Sequence, residues 1–193
     1  MRPRLILKRS LQLASLVLAF PAALACWFGG LRTPYTLLAH AFALLPGIIG
    51  DYLRVAFYRM TLSSCSADSR IGFGTVFAHP EASVGPMVSI GLYCIIGRAS
   101  IGARTQIASL VQIPSGRRQH PRDEQGKLSG TEPLGLQQTD VGSDCWIGAS
   151  AIVLARVGDG TTVGAGAVVV QDLPPGVTAA GNPARVLQKR ERA

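Results

Sequence analysis

Three histidines punctuate this chain, and one of them stands in a setting suited to chemistry. His120 follows Ser115-Gly116-Arg117-Arg118-Gln119 and precedes Asp123-Glu124-Gln125-Gly126-Lys127, within a polar stretch over residues 114–140 that is rich in glycine, proline and charge. An imidazole of pKa about 6.5 is the side chain best suited to take a hydroxyl proton at neutral pH. The plainer reading is a solvated loop histidine. His79, in Phe77-Ala78-His79-Pro80-Glu81, is the rival base. A carboxylate that orients the imidazole is expected among Glu124, Asp123 and Glu81, and the sequence does not choose between them. No Ser-His-Asp set for nucleophilic catalysis is evident. His40 lies in an apolar stretch and reads as a packed or interfacial residue rather than a ligand.

The elements that must position these groups follow a six-residue beat. An aliphatic residue followed by glycine recurs as Ile71-Gly72, Val84-Gly85, Ile90-Gly91, Ile96-Gly97 and Ile101-Gly102, then as Val141-Gly142, Ile147-Gly148, Val157-Gly158 and Val163-Gly164. Weaker repeats fall at Phe77, Ile107, Ile113, Val153 and Val169. A strand alternates every two residues and a helix returns every 3.6, so neither explains a period of six. Short flat strands joined by turns and wound into a solenoid do. The aliphatics point into a narrow interior, and the glycines are expected to permit tight turns through positive φ and to leave room for backbone. Thr75, Val88, Cys94, Thr105, Val111, Cys145, Ala151 and Ala167 fill the other inward positions. The beat breaks in two telling places. A seven-residue step precedes Val84, where a bulge can turn His79 outward, and the long pause between Ile113 and Val141 carries His120. Such insertions cost little closure entropy and are common seats of function.

The motifs around the pause, with Val141-Gly142-Ser143-Asp144-Cys145-Trp146-Ile147-Gly148 after it and Asp172-Leu173-Pro174-Pro175-Gly176 through Gly181-Asn182-Pro183-Ala184-Arg185-Val186 at the end, resemble the hexapeptide-repeat acyltransferases. The likeness is to maltose/galactoside-type acetyltransferases and polysaccharide O-acetyltransferase relatives, and covers residues 71–187. It implies an all-β solenoid, a left-handed parallel β-helix, here with an N-terminal apolar helical segment. It implies direct transfer of an acyl group, acetyl by the family pattern, from acetyl-CoA to a hydroxyl, without specifying the acceptor; the basic, membrane-seeking residues 1–60 joined to such an enzyme suggest a sugar or lipid-linked glycan precursor. His120 is then the general base and His79 the runner-up, with backbone N–H groups at a coil corner stabilising the oxyanion. Carried over by position, Trp146 walls the site, Ala149 and Ala165 line the coenzyme channel, and Arg185 attracts its phosphates. The family's first loop histidine aligns nearer Arg117, so the base at His120 requires a two-residue shift. The family often has basic residues where Gln171 and Gln188 stand; Lys189 and Arg190 can replace the second. A homotrimer with sites between subunits is implied as well. Two alternatives share the fold: a non-catalytic scaffold, and a γ-carbonic-anhydrase-like metal hydratase. The hydratase needs three histidines with two of them five residues apart, a pair this chain lacks, so no metal is expected.

Composition sets the partners. Formal net charge is +8, and residues 1–60 hold Arg2, Arg4, Lys8, Arg9, Arg32, Arg54 and Arg59 against the single acid Asp51. No recognition motif or aromatic-basic interleaving points to nucleic acid. Cys26, Cys65, Cys94 and Cys145 form no paired framework and fit reduced thiols in a cytoplasm. Residues 10–31 and 33–50 carry no charge, and the first run is long enough to cross a bilayer. With basic flanks on both sides, and with Pro21 and Pro46 able to kink or end the helices, a re-entrant or surface-lying hairpin at the cytoplasmic face of the inner membrane fits best. Two spans, burial against the solenoid, or a signal peptide are the alternatives; secretion would separate the enzyme from acetyl-CoA. The expected division is residues 1–60 as a membrane-associating segment, 61–187 as the solenoid with loop 114–140, and 188–193 as a basic tail.

Overall fold

The computed structural model describes residues 3–28, 32–117, 120, 122, 124–128 and 136–189. Three helices precede a triangular solenoid of parallel strands. Its first coil comprises β1 (Ser64–Cys65), β2 (Arg70–Ile71) and β3 (Val76–Phe77), and the second β4 (Ser83–Val84), β5 (Ser89–Ile90) and β6 (Ile95–Ile96). The third holds β7 (Ala99–Ile101), β8 (Gln106–Ile107) and β9 (Gln112–Ile113); after the loop, the fourth holds β10 (Thr139–Val141), β11 (Trp146–Ile147) and β12 (Ile152–Val153). β13 (Thr162–Val163) and β14 (Val168–Val169) continue it, and β15 (Val177–Ala180) pairs antiparallel with β16 (Arg185–Lys189) to close the end. Sheet I runs β1-β4-β7-β10, sheet II β2-β5-β8-β11-β13-β15-β16, and sheet III β3-β6-β9-β12-β14. Val157 and Leu173 extend sheet I by parallel bridges.

Register stacks like on like. Ile71 pairs with Ile90, Ile90 with Ile107, Ile107 with Ile147, and Ile147 with Val163, all buried. Burying each such side chain contributes about 1.5–3 kcal/mol, but only with a neighbouring coil to cover it. The expected small inward residues are all buried as well. The threonines do more than fill space. Thr75 Oγ1 donates to Gly91 O at 2.7 Å and accepts from Cys94 N at 3.0 Å; Thr105 does the same with Gly142 O and Cys145 N at 2.7 and 3.1 Å. Cys94 and Cys145 are free and buried, and burial pushes both thiols up.

One expectation about glycine needs correcting. The glycine directly after each inward aliphatic is not the left-handed residue. That role falls two positions later, at Gly74, Met87, Tyr93, Arg104, Leu110, Asp144, Ser150, Gly160, Gly166 and Gly176, with φ from +55° at Tyr93 to +75° at Gly74. The paired glycine is there because the next coil passes too close: a Cβ at Gly91 would lie 2.5 Å from Ser109 N, and one at Gly148 2.4 Å from Ala165 N. Room for the neighbouring backbone, and not positive φ, explains glycine at these positions.

The helices are α1 (Pro3–Phe28), α2 (Arg32–Ala43) and α3 (Gly47–Thr61). α1 continues through Pro21, which removes the backbone donor to Val17 but leaves the helix otherwise intact. Pro46 does end a helix, and beyond it α3 forms, an element the uncharged runs did not announce. α2 and α3 seal the first coil. Tyr58 meets Phe77 edge-on at 4.8 Å, and Phe42 stacks on Phe57 at 4.6 Å. Tyr35 Oη donates to Phe77 O at 3.0 Å, and Phe77 N donates to Tyr58 Oη at 3.2 Å. Arg54, read from sequence as a membrane-flanking charge, is instead fully buried. Its Nε donates to Ile71 O at 2.9 Å, its Nη1 to Leu45 O at 2.6 Å, and its Nη2 to Asp51. The guanidinium ties the α2–α3 turn to the solenoid, and charge is tolerated there because carbonyls and a carboxylate surround it. Arg59 remains exposed.

Candidate functional site

Three edges run along the prism, and the candidate residues divide between two of them. The edge between sheets III and I carries both histidines. His79 follows β3, half-buried, and its carbonyl accepts from Ala82 N at 3.3 Å. Glu81 lies beside it, with Oε1 3.8 Å from Arg98 Nη2, while its Oε2 is sealed from solvent with no hydrogen bond among the described residues. On the same edge the long loop departs after β9 and returns to β10. Its stems are stitched together: Gly116 N donates to Thr139 Oγ1 at 3.2 Å, Thr139 Oγ1 to Pro114 O at 2.8 Å, and Gln137 N to Ser115 O at 3.1 Å.

Arg98 holds both stems. Its backbone N–H donates to Ser115 Oγ at 2.9 Å, its carbonyl accepts from Thr139 N at 2.9 Å, and its Nη1 donates to Leu136 O at 3.3 Å. Nothing in the six-residue beat singled this arginine out. Its place directly after Ile96-Gly97, where the neighbouring coils turn, was the only signal. Arg117 reaches across to Val170 O at 2.6 Å and pins the loop against the fifth coil. His120 is exposed beyond these stems, just before a small antiparallel turn in which Arg122 pairs with Leu128 and donates to Gly126 O at 2.6 Å. Glu124 is exposed in that turn. Asp123 and Arg190 lie outside the described residues.

The edge between sheets II and III carries the coenzyme candidates. Ala149 and Ala165 sit at the same corner on successive coils, joined where Gly166 N donates to Ala149 O at 2.8 Å. The corner changes character along the axis. Phe73, Leu92, Tyr93 and Leu110 make it bulky over the first three coils, with Phe73 edge-on to Tyr93 at 5.6 Å. Ala149, Ser150, Ala165 and Gly166 make it narrow thereafter, and a Cβ at Gly166 would meet nothing within 4 Å. Arg185 is exposed on β16, paired in register with Ala180, which backs onto Gly164. Trp146 stands half-exposed in sheet II between Gln106 and Thr162. The fold therefore gathers Ala149, Ala165 and Arg185 along one edge with Trp146 on the adjoining sheet, and places His120 and His79 on another edge. A groove of about 620 Å³ on sheet I is lined by Asp140, Arg156, Asp159 and Asp172, and by none of these candidates. Two of its carboxylates cap backbone: Asp159 Oδ1 accepts from Ser143 N at 2.7 Å and Asp172 Oδ1 from Arg156 N at 3.0 Å.

A triangular parallel solenoid closed by a helical cap, interrupted once by a histidine-bearing loop, defines a left-handed β-helix of the acyltransferase type. The crystal structure of a maltose O-acetyltransferase from Clostridium difficile 630 shares this fold with TM-score 0.68 at 24% identity, covering 82% of this chain and 86% of that one. Nodulation protein L of Rhizobium meliloti is 37% identical over 128 residues, covering 60% of this chain and 68% of that protein. An acetyltransferase candidate of Schizosaccharomyces pombe is 36% identical over 97 residues, or 48% of this chain; the chain spans 44% of that relative's length. No family profile matches the sequence. The chain belongs to the hexapeptide-repeat acetyltransferases.

Proposed function

We propose that this protein transfers an acetyl group from acetyl-CoA to a hydroxyl of a sugar or lipid-linked glycan precursor at the cytoplasmic face of the inner membrane. The observation that carries the reading is the pairing of a histidine loop clamped on one edge with a narrowed, small-residue corner on the next. The corner suits a slender pantetheine arm: Ala149, Ser150, Ala165 and Gly166 are small and exposed, with open space over Gly166, and Arg185 supplies a cation at its carboxyl end for phosphate. His120 takes the proton from the acceptor hydroxyl as that oxygen attacks the thioester carbonyl, with no covalent enzyme intermediate. Trp146 walls the reacting end.

Because base and channel stand on different edges of one chain, a site containing both requires the edge of a neighbouring copy. A homotrimer supplies that neighbour. The exposed apolar ridge of Leu92, Tyr93 and Leu110, each about half-exposed, gives the edge between sheets II and III a surface to bury. His79 and Glu81 lie on the same edge as the loop, two coils nearer the cap, and remain the second candidate pair.

The test uses purified full-length protein, isotopically labelled acetyl-CoA and a panel of free and lipid-linked sugars, with products read by mass spectrometry. His120→Ala is expected to lower turnover by about 10²–10⁴-fold with coenzyme affinity unchanged. Full activity in His120→Ala with loss in His79→Ala would move the base to His79. No coenzyme retention and no transfer to any acceptor would reject the enzyme reading in favour of a scaffold.

A further inference from the structure

A helix on a water-soluble surface turns its large aliphatics inward and its small and polar residues outward. α1 is built the other way round. Gln12, Ser15, Ala19, Ala22 and Cys26, spaced by three and four, line its protein side with Ser15, Ala19 and Ala23 buried, and Leu16 is the large aliphatic packed among them. Leu13, Val17, Leu18, Phe20 and Trp27 face out, at 64%, 74%, 69%, 55% and 82% exposure. Small residues at the helix contact and large ones outside is the arrangement of helices packed in lipid. Leu44, just after α2, and Ile48 and Ile49, in the first turn of α3, are also well exposed.

Two further observations say what covers this face and how. Every charged side chain in residues 1–50 is basic, with Arg9 exposed on α1, while the nearest acids, Asp51 and Asp68, are paired with Arg54 and Lys8. That complements anionic lipid headgroups. And α1 is fastened sideways to the solenoid: Lys8 Nζ lies 2.8 Å from Asp68 Oδ1, and Gln12 Nε2 donates to Ala67 O at 2.8 Å. Were α1 to cross a bilayer in this arrangement, Asp68, Arg70 and the polar turns of the first coil would enter hydrocarbon, where charged side chains are strongly disfavoured. Lying flat, α1 buries its aliphatics and leaves the first coil in water.

We infer that α1 lies in the plane of an anionic leaflet as a fixed docking face and does not span it. This deepens the membrane-surface part of the proposed function and depends on none of its catalytic residues. The full-length protein is floated with phosphatidylcholine vesicles made with and without phosphatidylglycerol. The expected result is flotation with the anionic vesicles, weakened by salt, and roughly tenfold or greater loss of partitioning in Val17→Glu/Leu18→Glu at unchanged melting temperature. Orientation is read by brominated-lipid quenching of Trp27 alone (Trp146→Phe) and of Val17→Trp alone (Trp27→Phe, Trp146→Phe). A flat helix places both at the same shallow depth. Quenching of Val17→Trp at the bilayer centre with Trp27 near the surface would overturn the flat orientation. An absence of flotation, together with an oligomer that the double glutamate variant disperses, would assign the face to a second copy and sink the inference. Transfer to a free sugar, measured in parallel, separates the outcomes: it stays at wild-type level if only docking fails, and is absent from the wild type itself if the catalytic reading fails.

Discussion

Gly102 and Gly160 stand on the same edge, between sheets I and II, and require glycine for different reasons. A Cβ at Gly102 would lie 2.4 Å from Ser143 N and 2.5 Å from Gly142 C, on the next coil. Unstrained heavy-atom contacts settle at about 3.5 Å, so the two coils must part or shear by roughly 1 Å. Ser143 is poorly placed to retreat. Its N–H donates to Asp159 Oδ1 at 2.7 Å, and the adjoining Asp144 is gripped by Arg104 through bonds of 2.6 and 2.5 Å. Overpacking against pinned backbone costs about 3 kcal/mol. Ala108 holds the equivalent repeat position on the edge between sheets II and III, which shows that a methyl fits where the facing corner moves with it. At Gly160 a Cβ meets nothing within 4 Å, and only its φ of +67° opposes substitution. That strain costs about 1 kcal/mol, and Arg104 and Asp144 already bear it at the matching positions with φ of +60° and +58°. For a chain of this size, Gly102→Ala should therefore lower the melting temperature by about 6–12 °C and Gly160→Ala by about 2–4 °C. Far-UV circular dichroism melts and urea unfolding at one fixed protein concentration measure both. Equal losses, or a larger loss at Gly160, would refute the claim that the glycine of each pair serves coil spacing rather than positive φ.

Arg54→Met should cost about 3–5 kcal/mol in urea unfolding, because it strands Ile71 O, Leu45 O and Asp51 beneath the cap; Arg54→Lys should recover only part, lacking the fork. Burial holds the hydroxyls of Tyr58 and Tyr35 well above the ordinary phenol value of 10.0. The unfolded chain ionises these phenols first, so the stability they contribute is complete below about pH 10 and is lost as pH rises beyond it, at up to about 1.4 kcal/mol per pH unit for each group. Tyr58→Phe should lower the alkaline slope, to which the buried thiols also contribute, by up to about 1.4 kcal/mol per pH unit in urea midpoints taken between about pH 9 and 12. Arg98→Met keeps the backbone bonds to Ser115 Oγ and from Thr139 N and removes only the side-chain hold on Leu136 O and Glu81, so it should loosen the returning stem alone and lower kcat by about threefold while leaving the KM for acetyl-CoA unchanged, with kinetics at saturating acceptor as the check.

The solenoid was legible because its determinant is one-dimensional: an inward aliphatic every six residues stacks on its counterpart whatever lies outside. The reason for each glycine was not, since the backbone that excludes a Cβ at Gly102 belongs to Ser143, forty-one positions along the chain beyond an insertion. Arg54 misled for a related reason. Flanking an apolar run, it reads as an interfacial charge, and only the meeting of α3 with the first coil turns it into a buried tie between carbonyls. Sequence marked the loop and the narrow corner as separate places of interest. It could not say that they occupy different edges, because that depends on which of the three faces each six-residue unit lands on. Arg98 was missed for want of any chemical motif; it clamps the loop largely through its backbone.

The helical cap and the loop also stand in a definite relation along the axis. α1 is tied to the first coil at Ala67 and Asp68, and the loop leaves after the third coil, at Ile113. At about 4.8 Å per coil, the stems of the loop stand roughly 10 Å along the axis from the docking face's anchor. On the proposed reading, docking and catalysis act on the same acceptor through effective concentration rather than through new contacts. Val17→Glu/Leu18→Glu should accordingly raise the apparent KM for a vesicle-borne lipid-linked sugar, by roughly tenfold in step with lost partitioning, and leave kcat/KM for the matching free sugar unchanged. A parallel fall on both acceptors would show that α1 shapes the site itself, and the separation of seat from chemistry would fail.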